Sequence, residues 1–315
     1  MRHGHSERRV ARRRRSGGAA LRTPCESRRA ASVKSGNGAR HGGHREVRLC
    51  QDRSMTAPST DPASSRARPG TIITVAATGA HAKADVPALP VGSEEVAAAA
   101  ASCARVGASV IDLEPRHDTS VPDVVTAVHN RTDLVVRVAA YARSETLTTL
   151  LDSGAEVLTC PVDAPEDFVT ALREGARARG IAVHHEVREL EQLDTLRMRC
   201  AAETGPVHAV LVFGSATDSG MHGDPETLSR AVARLPERAS YTVTGLDDTA
   251  VPMLLATLAT NGHVRVGMAD TLEYSPGEPV RDNAQLVARA AGVAKIAQRS
   301  PLSVSHVRGV FGLSG

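Results

Sequence analysis

The 315 residues include no tryptophan, only three tyrosines, and only three phenylalanines, Phe168, Phe213 and Phe311. Stacking platforms for single-stranded nucleic acid need aromatic faces in number, so the body of the chain is not composed as a nucleic-acid binder. Cys-x-x-Cys spacing is absent: Cys25, Cys50, Cys103, Cys160 and Cys200 stand far apart, and the last three fall in predicted helices or strands, where reduced buried thiols are the default. The longest apolar stretch, around Val96 to Ala101, is far short of the roughly 20 residues of a membrane span. No Gly-x-Gly-x-x-Gly follows the first strand, and Thr78-Gly79-Ala80 is too little to hold a dinucleotide. With nothing to indicate secretion, a soluble cytoplasmic protein is the expectation.

Charge is plentiful and unevenly spread. Residues 1–54 hold fifteen basic and four acidic residues, a net +11, whereas the remainder holds 23 and 31, a net −8. The head contains the run Arg12 to Arg15 and almost no aliphatic periodicity, so it is expected to be disordered. It reads as an upstream extension with the true start at Met55, or as a nucleic-acid-binding arm or a transit peptide, with a loose leader up to residue 69.

From Thr71 the sequence alternates short β-branched runs with longer amphipathic ones, the pattern of βα units on a parallel sheet. Strands are predicted near 71–77, 109–114, 133–139, 155–160, 181–187, 207–213, 240–245 and 263–267. Helices are predicted near 93–106, 121–130, 144–153, 165–179, 188–203, 224–234, 249–260 and 283–298. Ser93 reads as an N-cap, Pro165 opens a helix, and Gly107, Gly154, Gly180 and Gly262 close helices. Eight pairs make a (β/α)₈ TIM barrel over residues 70–315, and six strands is the usual complement of the doubly wound alternative.

Chemistry in such a barrel lies at the C-terminal ends of the strands. Strand two ends Asp112-Leu113-Glu114, which turns both carboxylates inward and Leu113 outward. Their partner is either a hard divalent cation, with His81 as a weaker further ligand, or the basic groups Arg116, His117 and Arg265. Strand five contributes His184-His185-Glu186. Strand eight carries His263, Arg265 and Gly267 on one face with Asp270 just past its end, and an arginine there suits a carboxylate or phosphate. The plainer reading pairs Arg265 with Asp270 or Glu114 merely to fill the barrel. Gly214 and Ser215 after strand six are candidates to present backbone N–H groups to a phosphate-bearing cofactor. Met198 and Cys200 read as core or helix-packing residues.

The order of these motifs resembles the β-keto acid cleavage enzyme family, that of the 3-keto-5-aminohexanoate cleavage enzymes. The resemblance runs from Thr78-Gly79-Ala80, Leu89-Pro90-Val91 and Glu94-Glu95 through Gly262-His263-Val264-Arg265-Val266-Gly267 and the Asn283–Arg289 helix to Val307-Arg308-Gly309-Val310-Phe311-Gly312-Leu313. It implies an oligomeric barrel that exchanges acyl groups between a β-keto acid and acetyl-CoA, with a zinc ion, releasing acetoacetate and a new CoA thioester. By resemblance Arg265 and Asp270 activate and hold the keto acid, and Glu186 matches the strand-five glutamate. The zinc ligands do not carry over. Asp112-Leu113-Glu114 stands where the family has His-x-His, Ala269 where it has a ligating Glu, and His81 in place of the Glu after Thr-Gly-Ala. The expectation is therefore a divergent acyltransferase with altered metal use, Mg²⁺ or Mn²⁺ at Asp112 and Glu114 being one form of it. The alternative is a non-catalytic paralogue that binds a small anionic ligand.

Overall fold

A computed structural model describes residues 70–142, 147–201, 203–214 and 220–313; the basic head and its leader lie outside them. Eight parallel strands close into a barrel in chain order: β1 (Ile73–Ala76), β2 (Val110–Leu113), β3 (Val135–Ala139), β4 (Val157–Pro161), β5 (Ala182–Val187), β6 (Val207–Phe213), β7 (Ala239–Gly245) and β8 (His263–Val266). β8 returns to pair with β1, with Thr74 opposite Arg265. The connecting helices are α1 (Ser93–Val106), α2 (Val121–His129), α3 (Leu147–Leu151), α4 (Glu166–Arg179), α5 (Gln192–Cys200), α6 (Pro225–Arg234), α7 (Ala250–Ala259) and α8 (Asn283–Ile296). The predicted TIM barrel is the observed one.

Several local details differ from the sequence reading. Gly92, not Ser93, caps α1, and the Glu95 carboxylate accepts the backbone N–H groups of Val91 and Gly92. Asn261, with φ of 64°, supplies the left-handed residue after α7 that Gly262 was expected to supply. Gly262 is needed for space instead, because a Cβ there would lie 2.4 Å from Tyr241 Cε2. Helix five begins at Gln192 rather than 188, because its side chain accepts from the N–H groups of Arg188 and Glu189 and holds them in a turn. Met198 points to solvent at 71% exposure. A small hairpin, β9 (Glu273–Ser275) with β10 (Glu278–Pro279), and a last helix, α9 (Val304–Phe311), went unread.

The barrel is filled by two kinds of side chain. At its N-terminal end Ile72, Val110, Val135 and Val157 form an aliphatic layer closed from below by Val307 and Phe311 of α9. Beside them, Phe311 meets the rings of His184 and His208 edge-on, at centroid distances of 4.4 and 4.8 Å. His208 bonds Ser240 and Thr242, and His263 accepts the Ile72 N–H. Above this floor the filling turns ionic, with Asp112, Arg137, Glu186, Arg265 and Asp270 all inside. The outward residues, Leu113 and Cys160 among them, pack against the helices in an aliphatic shell.

Candidate active site

Arg265 is the hub of the barrel mouth. Its Nη2 lies 2.8 Å from Asp270 Oδ1 and its Nε 3.4 Å from Asp270 Oδ2, while Nη1 donates to Asp112 Oδ2 at 2.8 Å. Glu114 stands off at 3.5 Å from Nη2. Asp112 is gripped from its other side by Arg137, whose Nε and Nη2 donate at 2.9 and 2.8 Å. Asp112 thus accepts three guanidinium hydrogen bonds, and of the two partners the sequence offered it, the structure supplies the basic one.

Strand eight is held to aim Arg265 and Asp270 inward. A Cβ on Gly267 would meet the Ala76 carbonyl oxygen at 1.9 Å, so only glycine lets the end of β8 run this close to β1. The turn beyond it is pinned by Asn283, which accepts the Met268 N–H through Oδ1 and donates from Nδ2 to the Ala77 carbonyl. The Asp270 carbonyl in turn accepts the Asp247 N–H from the loop after β7.

The carboxylates of this cluster are held in different states. Burial would raise Asp112, but Arg137 and Arg265 outweigh it and keep its carboxyl below the ordinary range. Asp270 is raised, because burial outweighs its one guanidinium. Glu114 is raised as well, by burial and by the nearby charges of Asp112, Asp270 and Glu186, against the pull of Arg265. Two carboxyls that bind protons more readily than usual therefore flank a guanidinium that burial would weaken but Asp270 and Asp112 keep charged.

Glu114 also lines an open cleft, together with Gly79, Ala80, Arg116, His117 and Tyr141. Arg116 shapes its rim by donating to the Gly79 and His81 carbonyls and pairing with Asp118. It is therefore the carbonyl of His81 that this network engages. Burial, with Glu114 and Glu186 nearby, pushes the Tyr141 hydroxyl up, so it stays a proton donor. Glu186 points into the mouth and pairs with Arg188 Nε at 2.8 Å. Gly214 does not offer its N–H to a phosphate, since that group donates to the Met221 carbonyl at 2.9 Å, and Ser215 lies outside the described residues.

Sequence reasoning missed Arg137 and Tyr141. Arg137 had a signal, a charged residue in the otherwise apolar run Val135-Val136-Arg137-Val138-Ala139, at an inward position. Tyr141 had only its place beyond the end of β3.

The family model for beta-keto acid cleavage enzymes matches residues 70–313, the whole barrel. The chain belongs to the β-keto acid cleavage enzyme family. A 3-keto-5-aminohexanoate cleavage enzyme of Acetoanaerobium sticklandii is 26% identical over 77% of this chain and 98% of its own length. One from Fusobacterium nucleatum is 25% identical over 77% and 97%. Among solved structures, ObcA with oxaloacetate superposes with a TM-score of 0.59 over 73% of this chain and 68% of that one, at 17% identity, a likeness of fold.

The zinc ion implied by membership of this family does not fit the mouth as built here. Asp112 already accepts from two guanidiniums, Arg265 stands beside any ion it would share with Glu114, and the Ala269 side chain carries no donor atom. A divalent cation there would have to compete with two buried guanidiniums that already engage both Asp112 oxygens. Mg²⁺ or Mn²⁺ at Asp112 and Glu114 would meet the same two guanidiniums. No helix of the described residues is long and apolar enough to cross a membrane.

Proposed function

We propose that the protein exchanges acyl groups between a small β-keto acid and acetyl-CoA through its own side chains, with Arg265, Asp270 and Glu114 in place of a metal at the mouth. The observation that carries this is the Arg265–Asp270 pair at 2.8 Å, set beside a carboxyl, Glu114, whose proton affinity is raised by burial and which lines the open cleft. Membership of the family and the names of the two relatives support the reaction class.

The methylene between the keto and carboxylate groups of a β-keto acid is its acidic carbon. Asp270 takes that proton, a role suited to a carboxylate whose proton affinity is raised. The resulting carbanion attacks the thioester carbonyl of acetyl-CoA and expels the CoA thiolate. The thiolate then adds to the original keto carbon, and the bond from that carbon to the former methylene breaks. The new acyl-CoA departs, and the acetoacetate carbanion recovers the proton from Asp270.

Negative charge builds on carbonyl oxygens at each stage, and two kinds of donor meet it. Arg265 has five N–H groups, three of them engaged by Asp112 and Asp270, which leaves two. Glu114 in its acid form supplies another, and as an acid it does not repel the oxyanion. Asp112 and Arg137 act at one remove, fixing the plane of the Arg265 guanidinium. Glu186 with Arg188, on the opposite wall, completes the polar lining.

The test is a panel of β-keto acids with acetyl-CoA and the full chain in excess chelator, following acetoacetate and the new thioester by mass spectrometry. Turnover that persists with chelator and disappears in Asp270→Asn is the expected result. No turnover of any panel member, with chelator or with added Zn²⁺, Mg²⁺ or Mn²⁺, overturns the proposal in favour of a barrel that binds a small anion without reacting it.

A further inference from the structure

Side chains alternate faces along β5, so while His184 and Glu186 enter the barrel, His185 points out beneath α5. There its Nε2 lies 3.6 Å from the Sγ of Cys200, the last residue of α5. A carboxylate oxygen of Glu203 joins them, and the three donor atoms all lie within 4.8 Å of one another. Nitrogen, thiolate sulfur and carboxylate oxygen are the ligands of a borderline-soft divalent ion.

The distances agree with that chemistry. Bonds of about 2.05 Å to nitrogen and 2.3 Å to sulfur at a tetrahedral angle put the two donors about 3.6 Å apart. His185 and Cys200 already stand at that separation, so the ion would enter with neither side chain displaced. Glu203 has roughly 1 Å to travel to complete a face of the tetrahedron. Its Oε1 is held by Arg173 Nη2 at 2.6 Å, which leaves Oε2 for an ion. Cys200 and Glu203 also line a surface groove with Glu237 and Arg238 on its far wall, so the fourth position opens toward water.

We propose that His185, Cys200 and Glu203 form a zinc-class metal site on the outer face of the barrel, separate from the mouth, with solvent in the fourth position. On binding, the Cys200 thiol gives its proton to solvent and its sulfur bonds the ion, while the buried imidazole binds as the neutral base. Thiolate and carboxylate bring two negative charges to the ion, the carboxylate's shared with Arg173. The site ties the end of α5 to β5, the strand that carries Glu186 into the mouth.

Co²⁺ titration of the full chain, carrying Cys25→Ser and Cys50→Ser to silence the head, tests this. A saturable one-to-one complex with a thiolate-to-cobalt charge-transfer band and tetrahedral visible bands is expected, and Zn²⁺ should displace the cobalt. Cys200→Ser should abolish the charge-transfer band and His185→Gln should weaken binding at least tenfold, whereas Cys160→Ser and Glu114→Gln should change neither. Absence of the band, its survival in Cys200→Ser, or saturation only at millimolar cobalt would mean that His185 and Cys200 share nothing but an S–H···N contact. Should Cys200→Ser fail to fold, alkylation of Cys200 in the unaltered site, mapped by mass spectrometry, decides the matter. At least tenfold protection by Zn²⁺ supports the site, and unchanged labelling overturns it.

Discussion

Replacing Asp112 with Asn is the sharpest probe of the mouth, because the ion-pair and metal-ligand readings of this residue predict different behaviour. The substitution keeps the shape and removes the charge. Arg137, fully buried, would then have lost its counter-ion, and Arg265 one of its two close ones. Breaking a buried pair from one side costs about 3–5 kcal/mol, since a desolvated charge is left behind. For a domain of this size each kcal/mol lowers Tm by about 2–4 °C, so a fall of about 10 °C is expected in calorimetry, with or without chelator. The double variant Asp112→Leu with Arg137→Met removes both charges of the deepest pair and should recover part of that loss. If Asp112 instead held a metal, chelator would lower the Tm of the unaltered protein and leave Asp112→Asn unmoved. That pattern, or a cost below about 1 kcal/mol, would refute the argument.

Three other outcomes follow from the same structure. The proposed chemistry needs Asp270 ionised and Glu114 protonated, so kcat should follow a bell-shaped pH profile with both limbs above the ordinary carboxylate range; Asp270→Asn should lose at least about a hundredfold in kcat, and Glu114→Gln should flatten the alkaline limb, with an unchanged limb counting against the assignment. Burial holds the imidazoles of the barrel floor neutral, with His184 and His208 well below their usual value and His263 down to about 4. The unfolded chain takes up these protons near pH 6.5 while the folded chain refuses them. Stability is therefore full above about pH 6.5 and falls on acidification by up to about 1.4 kcal/mol per pH unit for each histidine, and a urea midpoint that stays flat from pH 7 to 5 would contradict this. Gly267→Ala drives a methyl group into the Ala76 carbonyl and should cost about 3 kcal/mol or more, and a urea midpoint close to that of the unaltered chain would show that β1 and β8 are free to part.

The sequence by itself determined the barrel, because each βα unit writes its own local signal: a β-branched run, a turn, an amphipathic helix and a glycine or proline at the boundary. Period-two alternation likewise turned Asp112 and Glu114 inward, and strand eight showed Arg265 and Asp270 at its end. The units that lacked such signals went unread. β9 and β10 are two or three residues each, and α9 owes its place to the barrel floor that Val307 and Phe311 close. Which partner Asp112 takes was decided by tertiary structure alone, since Arg137 stands directly opposite it on the neighbouring strand β3 but 25 residues away in the chain. The proton affinities of Asp270 and Glu114 likewise depend on burial and on charges brought in by other strands. His185, Cys200 and Glu203 are no motif in the sequence; closing β5 against α5 is what brings their donor atoms together.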